Sequence, residues 1–60
     1  MLKIQQILSE NIKKNRVKRN LTQAQLAEKC NISTTFLGYI ETGKKFPSPE
    51  NLQKIAEAMG

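Results

Sequence analysis

Few residues of this chain can do covalent chemistry, and they are badly placed for it. There is no histidine, so its serines and its one cysteine, Cys30, lack the usual base that activates a nucleophile. The five carboxylates stand singly along the sixty residues, and no glycine-rich loop is present to cradle a phosphate. Cys30 has no cysteine to pair with and no histidine to share a zinc ion with. Neither an enzyme, a cofactor nor a metal is expected. What remains is hydrogen-bonding chemistry, concentrated in STTFLGYIET, residues 33–42. If that stretch is helical with Leu37 pointing inward, the step of about 100° per residue sends Thr35, Gly38, Tyr39 and Thr42 outward, with Thr34 at the opening. Such a face carries no charge. Its hydroxyls suit either edge of a base pair, and its threonine methyls suit the thymine C5-methyl group.

Holding a face of this kind clear of the protein body takes a second helix fixed at a sharp angle to the first. LTQAQLAEKC reads as that helix, beginning at Thr22, where T-x-x-Q is a capping box: the Thr22 oxygen accepts from the amide three residues on, and Gln25 reaches back. Leu21 is placed to pack on Leu26 as a staple, and Leu26, Ala27 and Cys30 share one face. Asn31 then occupies a bend that needs a positive φ, which asparagine tolerates best after glycine. Ile32 plugs inward and Ser33 caps the next helix, which carries Leu37, Ile40 and Glu41 on its inner side and ends at Gly43. Two short helices with this turn are a helix-turn-helix spanning about residues 22–42.

The flanking segments are helical too. A first helix runs from about Leu2 to Lys18, with Ile4, Leu8, Ile12 and Arg16 four apart in one stripe, and Asn20 ends it. FPSPE is a turn and a fresh start, with Ser48 as cap, Pro49 at the first helical position and Glu50 in the first turn. The fourth helix places Leu52, Ile55, Ala56 and Met59 on one face. No strand pattern appears, so the class is all-α, one domain over residues 1–60. Arg16 and Glu41 both fall in apolar stripes. They are expected to pair, tying the first helix to the end of the third; the alternative is that Glu41 pairs outside with Lys44 or Lys45.

Ten Lys and Arg against five Asp and Glu give a net charge of +5. The excess is local: Lys3, Lys13, Lys14, Arg16, Lys18 and Arg19 face Glu10 alone in the first twenty residues. A basic stretch suits a polyanion, either nucleic acid or an acidic membrane surface, although a solvated helix face reads the same way. The glycine and proline punctuation of a compact fold argues against a peptide lying on membrane. A lone thiol and the lack of a long apolar run or signal-like start make the expected location cytoplasmic.

LTQAQLAEKCNIST, followed by LGYIETGKKFPSPENLQKIAEAMG, resembles the Cro/phage-repressor (XRE) helix-turn-helix family over roughly Leu8 to Gly60. Asn31 stands where the family has a turn glycine. The resemblance implies a lambda-repressor-like bundle of four short helices, here without the fifth helix that family members usually continue into and that often carries the dimer contact. It implies a sequence-specific transcriptional regulator of double-stranded DNA, of repressor type. It places Ser33, Thr34, Thr35 and Tyr39 at bases, and Thr22, Gln23, Thr42, Lys44 and Lys45 at phosphates. A homodimer, or a further domain or partner over Leu52, Ile55 and Met59, is expected with it. The alternative is a protein-interaction module of the same fold, such as the DNA-binding half of an antitoxin or a coactivator-type adaptor.

Overall fold

A computed structural model describes residues 3–60, with four helices in chain order: α1, Lys3–Lys18; α2, Gln23–Cys30; α3, Thr34–Glu41; and α4, Pro49–Ala58. The expected start of α1 at Leu2 lies outside the described residues. Each later helix opens on a hydroxyl cap. The Thr22 and Gln25 side chains bond each other's backbone amides (3.1 and 2.8 Å), Ser33 Oγ accepts from Phe36 N (3.0 Å), and Ser48 Oγ accepts from Asn51 N (3.1 Å).

The first three helices close by one device. Asn20, Asn31 and Gly43 have φ of 58°, 56° and 79°. After each, an amide reaches back five residues: Leu21 N to Arg16 O (3.1 Å), Ile32 N to Ala27 O (3.0 Å) and Lys44 N to Tyr39 O (2.9 Å). This is the Schellman ending, which satisfies carbonyls that the last turn leaves open. Asparagine fills two of the three left-handed positions because its short polar side chain tolerates a conformation that penalises other non-glycine residues.

The core is Ile12, Leu26, Ala27, Cys30, Leu37, Ile40 and Ile55, with Leu8, Leu21, Ile32, Phe36, Ala58 and Met59 packed against it. Helix α2 packs against both α3 and α4, and α1 packs against α3. Two apolar stripes differ from their expected course. Ile4 is 62% exposed, and the buried line of α1 runs through Ser9, Ile12 and Arg16. Residues four apart advance about 40° beyond a full turn, so a four-spaced stripe has wound about 120° off the core between Arg16 and Ile4. On α4, Ala56 is exposed and Ala58 packs in its place. Ile55 is 1% exposed, so the chain itself buries the centre of the Leu52–Met59 face. The expectation of a partner covering Leu52, Ile55 and Met59 is therefore corrected at Ile55; Leu52 and Met59 are half-buried.

Candidate nucleic-acid interface

Helix α3 divides its residues cleanly. Leu37, Ile40 and Glu41 are buried, while Thr34, Thr35, Tyr39 and Thr42 are exposed, with Ser33 exposed at the cap. Glu41 is the one charged residue of α3, so burying it leaves the outer face neutral. Gly38 is half-buried, not fully outward as expected. Gln23 lies beside it, and a Cβ built on Gly38 would come 4.0 Å from Gln23 Oε1.

Glu41 is held at the centre of a polar knot. Arg16 Nε donates to its Oε2 at 2.7 Å and Arg16 Nη2 to its Oε1 at 3.1 Å, a two-pronged grip with both side chains nearly out of solvent. Arg16 Nη1 donates to Leu21 O at 2.8 Å, and Gln23 Nε2 donates to Glu41 Oε1 at 3.0 Å. Among the described residues, no buried side-chain nitrogen or oxygen lacks a hydrogen-bond partner. The knot joins α1, the start of α2 and the end of α3. Gln23, at the start of α2, is thereby brought against Glu41, which Thr42 follows directly. Ser33, Thr34 and Thr35 lie at the other end of α3, about 12 Å along its axis.

The hydroxyls differ in what they can still offer. Thr22 Oγ and Ser33 Oγ accept from capped amides, so their hydrogens stay free to donate outward. Thr42 Oγ already donates to Gly38 O at 3.0 Å and Tyr39 O at 3.3 Å, so as it stands it offers only acceptor capacity. The capping box and the Leu26 N to Thr22 O bond leave the Gln23 and Ala24 amides without partners among the described residues. Those two amides, at the positive end of the α2 dipole, suit an anion. Lys44 and Lys45 are exposed, with ammonium groups 5.9 and 5.5 Å from the Tyr39 ring centroid.

Sequence reasoning missed four contacts: Gln23 to Glu41, Lys44 and Lys45 each over Tyr39, and Gln5 Nε2 to Gly43 O at 3.0 Å. The last ties α1 to the loop after α3 across 38 residues of sequence, and no local pattern announces it. A groove of about 510 Å³ between α2 and α4, lined by Lys29, Cys30, Asn31, Lys54, Glu57 and Ala58, contains none of the expected contact residues. Burial pushes the Cys30 thiol above its ordinary value, and Lys54 pulls it partly back. A thiol so placed packs as a small apolar residue. Among the described residues, no three His, Cys, Asp or Glu gather to hold a metal ion, and no helix is long and apolar enough to cross a membrane.

Comparison with known proteins reaches the same elements. The immunity repressor protein of Bacillus phage phi105 is 43% identical over 53 residues, covering 88% of this chain and 37% of that protein. The cryptic phage CTXphi transcriptional repressor RstR of Vibrio cholerae is 40% identical over 52 residues, covering 87% of this chain and 46% of that protein. The transcriptional activator BcrR of Enterococcus faecalis is 39% identical over 49 residues, covering 82% and 24%. The chain thus spans less than half the length of each of these relatives. No solved structure matches it significantly. The helix-turn-helix family model matches residues 12–60, which take in the Arg16–Glu41 knot, the Asn31 bend and the neutral face of α3. With the turn, the caps and the relatives in agreement, this chain belongs to the Cro/phage-repressor (XRE) helix-turn-helix family.

Proposed function

We propose that the chain is the DNA-binding part of a transcriptional regulator, a sequence-specific repressor that reads the major groove with α3. The observation that carries this is the sorting of α3, whose Leu37, Ile40 and Glu41 are buried while a neutral hydroxyl face stands open. In this reading, Thr22, the Gln23 and Ala24 amides, Lys44 and Lys45 grip phosphates and fix the register. Thr42 joins them once its hydroxyl turns from the helix carbonyls. Ser33, Thr34 and Thr35 then meet base edges at the entrance of the helix. No bond is made or broken, so occupancy of a site is the whole mechanism.

Repression is the assignment because two relatives bear that name, while a third is named an activator. Such a protein works in the cytoplasm, where bacterial or phage DNA lies. If two copies bind together, their half-sites lie about 34 Å apart along one face of the duplex.

Selection of bound sites from random duplexes tests the reading. Thr35→Ala is expected to change the preferred base at discrete positions, each worth about 1–3 kcal/mol. Lys44→Ala is expected to weaken all sites alike and flatten the salt dependence by about 0.9 of a log unit per log unit. Uniform weakening by Thr35→Ala, or altered base preference from Lys44→Ala, would sink the assigned roles.

A further inference from the structure

Resting on that reading, we propose that Tyr39 is a positioning residue, whose ring and carbonyl gather Lys44 and Lys45 into a two-ammonium clamp for the phosphate backbone. The carbonyl of Tyr39 accepts from Lys44 N (2.9 Å), Lys45 N (3.2 Å) and Thr42 Oγ (3.3 Å), so the chain after α3 folds back onto this one residue. The ring completes the arrangement, with the Lys44 and Lys45 ammonium groups 5.9 and 5.5 Å from its centroid, inside the range of about 6 Å at which a π face attracts a cation. Among the described residues, the salt bridges are Arg16–Glu41 and Lys54–Glu50, so neither Lys44 nor Lys45 is taken up by a carboxylate.

Two ammonium groups drawn to one ring repel each other, and an anion received between them relieves the repulsion. Lysine side chains otherwise lose much rotamer freedom when they settle on a phosphate. The ring bears part of that loss before DNA arrives. In this arrangement Tyr39 serves the phosphate contacts through the two lysines, in place of the base contact that the family resemblance implies.

The test is a cycle in the full chain. Affinity for a pool of short random duplexes is measured across a range of salt concentrations for Tyr39→Leu and Tyr39→Phe, alone and in a Lys44→Ala, Lys45→Ala background. Tyr39→Leu is expected to weaken binding about fivefold, the worth of one exposed cation–π contact, and Tyr39→Phe to bind like the parent. The salt slope of Tyr39→Leu is expected to flatten by about 0.9, one phosphate's share. In the doubly lysine-free background, Tyr39→Leu is expected to change nothing. An equal loss in both backgrounds would mean direct base contact and overturn the proposal, as would Tyr39→Phe behaving like Tyr39→Leu. Proton shifts of the free protein give a reading independent of DNA. The Lys44 and Lys45 ε-methylene signals are expected to move upfield in the parent and in Tyr39→Phe, and to return to solvent values in Tyr39→Leu. Their absence from the parent overturns the clamp. A parent protein that binds no duplex at all sinks the DNA-binding reading instead.

Discussion

Replacing Glu41 by Leu removes one carboxylate and strands three donors. Arg16 loses both prongs of its grip, at 2.7 and 3.1 Å, and Gln23 loses its 3.0 Å bond. The Arg16 side chain is only 11% exposed, so water cannot replace what is lost. Breaking a buried pair by deleting one partner costs about 3–5 kcal/mol. A chain of this length is expected to have a stability of about 3–9 kcal/mol in all. The single change therefore consumes from about a third to all of it. The paired change Arg16→Met with Glu41→Leu removes both charges and leaves only Leu21 O and the Gln23 amide to find water, so it is expected to fall within about 2 kcal/mol of the parent. Urea denaturation followed by helical circular dichroism measures Glu41→Leu, Arg16→Met and the double variant, and Glu50→Gln serves as control. The Lys54–Glu50 contact at 3.6 Å is exposed, so that control is expected to move stability by less than about 0.5 kcal/mol. If the single Glu41 variant loses under about 1 kcal/mol, or the double variant is as weak as the two single losses together, the knot is no stronger than a surface pair and the reasoning fails.

Two further outcomes follow from the geometry. A Cβ at Gly38 meets nothing nearer than Gln23 Oε1 at 4.0 Å, so Gly38→Ala is expected to stabilise α3 by about 1 kcal/mol and raise the melting temperature by several degrees; a fall in melting temperature counts against this packing. Burial raises the Cys30 thiol above its ordinary value, so its contribution to stability is whole below the unfolded value of about 8.5 and is lost as pH rises through the higher folded value. Cys30→Val is expected to flatten this alkaline decline in urea midpoint, and an unchanged decline would place its source elsewhere.

What the sequence made legible is chemistry that acts within one turn. Thr22, Ser33 and Ser48 cap the residues just after them, and Asn31 takes the left-handed bend because few other side chains tolerate it. A charge on an apolar stripe is legible as a demand for a partner, which Arg16 and Glu41 meet in each other. Long-range choices are another matter. The family resemblance places Gln23 at a phosphate, yet its side chain is drawn 18 residues along the chain to Glu41. Ile4 kept a spacing of four that the true helical period unwinds from the core. The turn at Gly43 is legible, but the settling of the Lys44 and Lys45 ammonium groups near the Tyr39 ring is a choice of long side-chain rotamers that no local pattern announces.

The pair α2 and α3 is fastened at both extremities, by the bend at Asn31 and by Gln23 reaching Glu41. A hairpin pinned at each end cannot splay open without losing the partly buried Gln23–Glu41 bond. Its contact surface is accordingly finished before any partner arrives, and recognition orders little new backbone. Encounter rates are then governed by long-range attraction of the basic chain to its target, and the heat capacity of association reports only the area covered, with no contribution from folding.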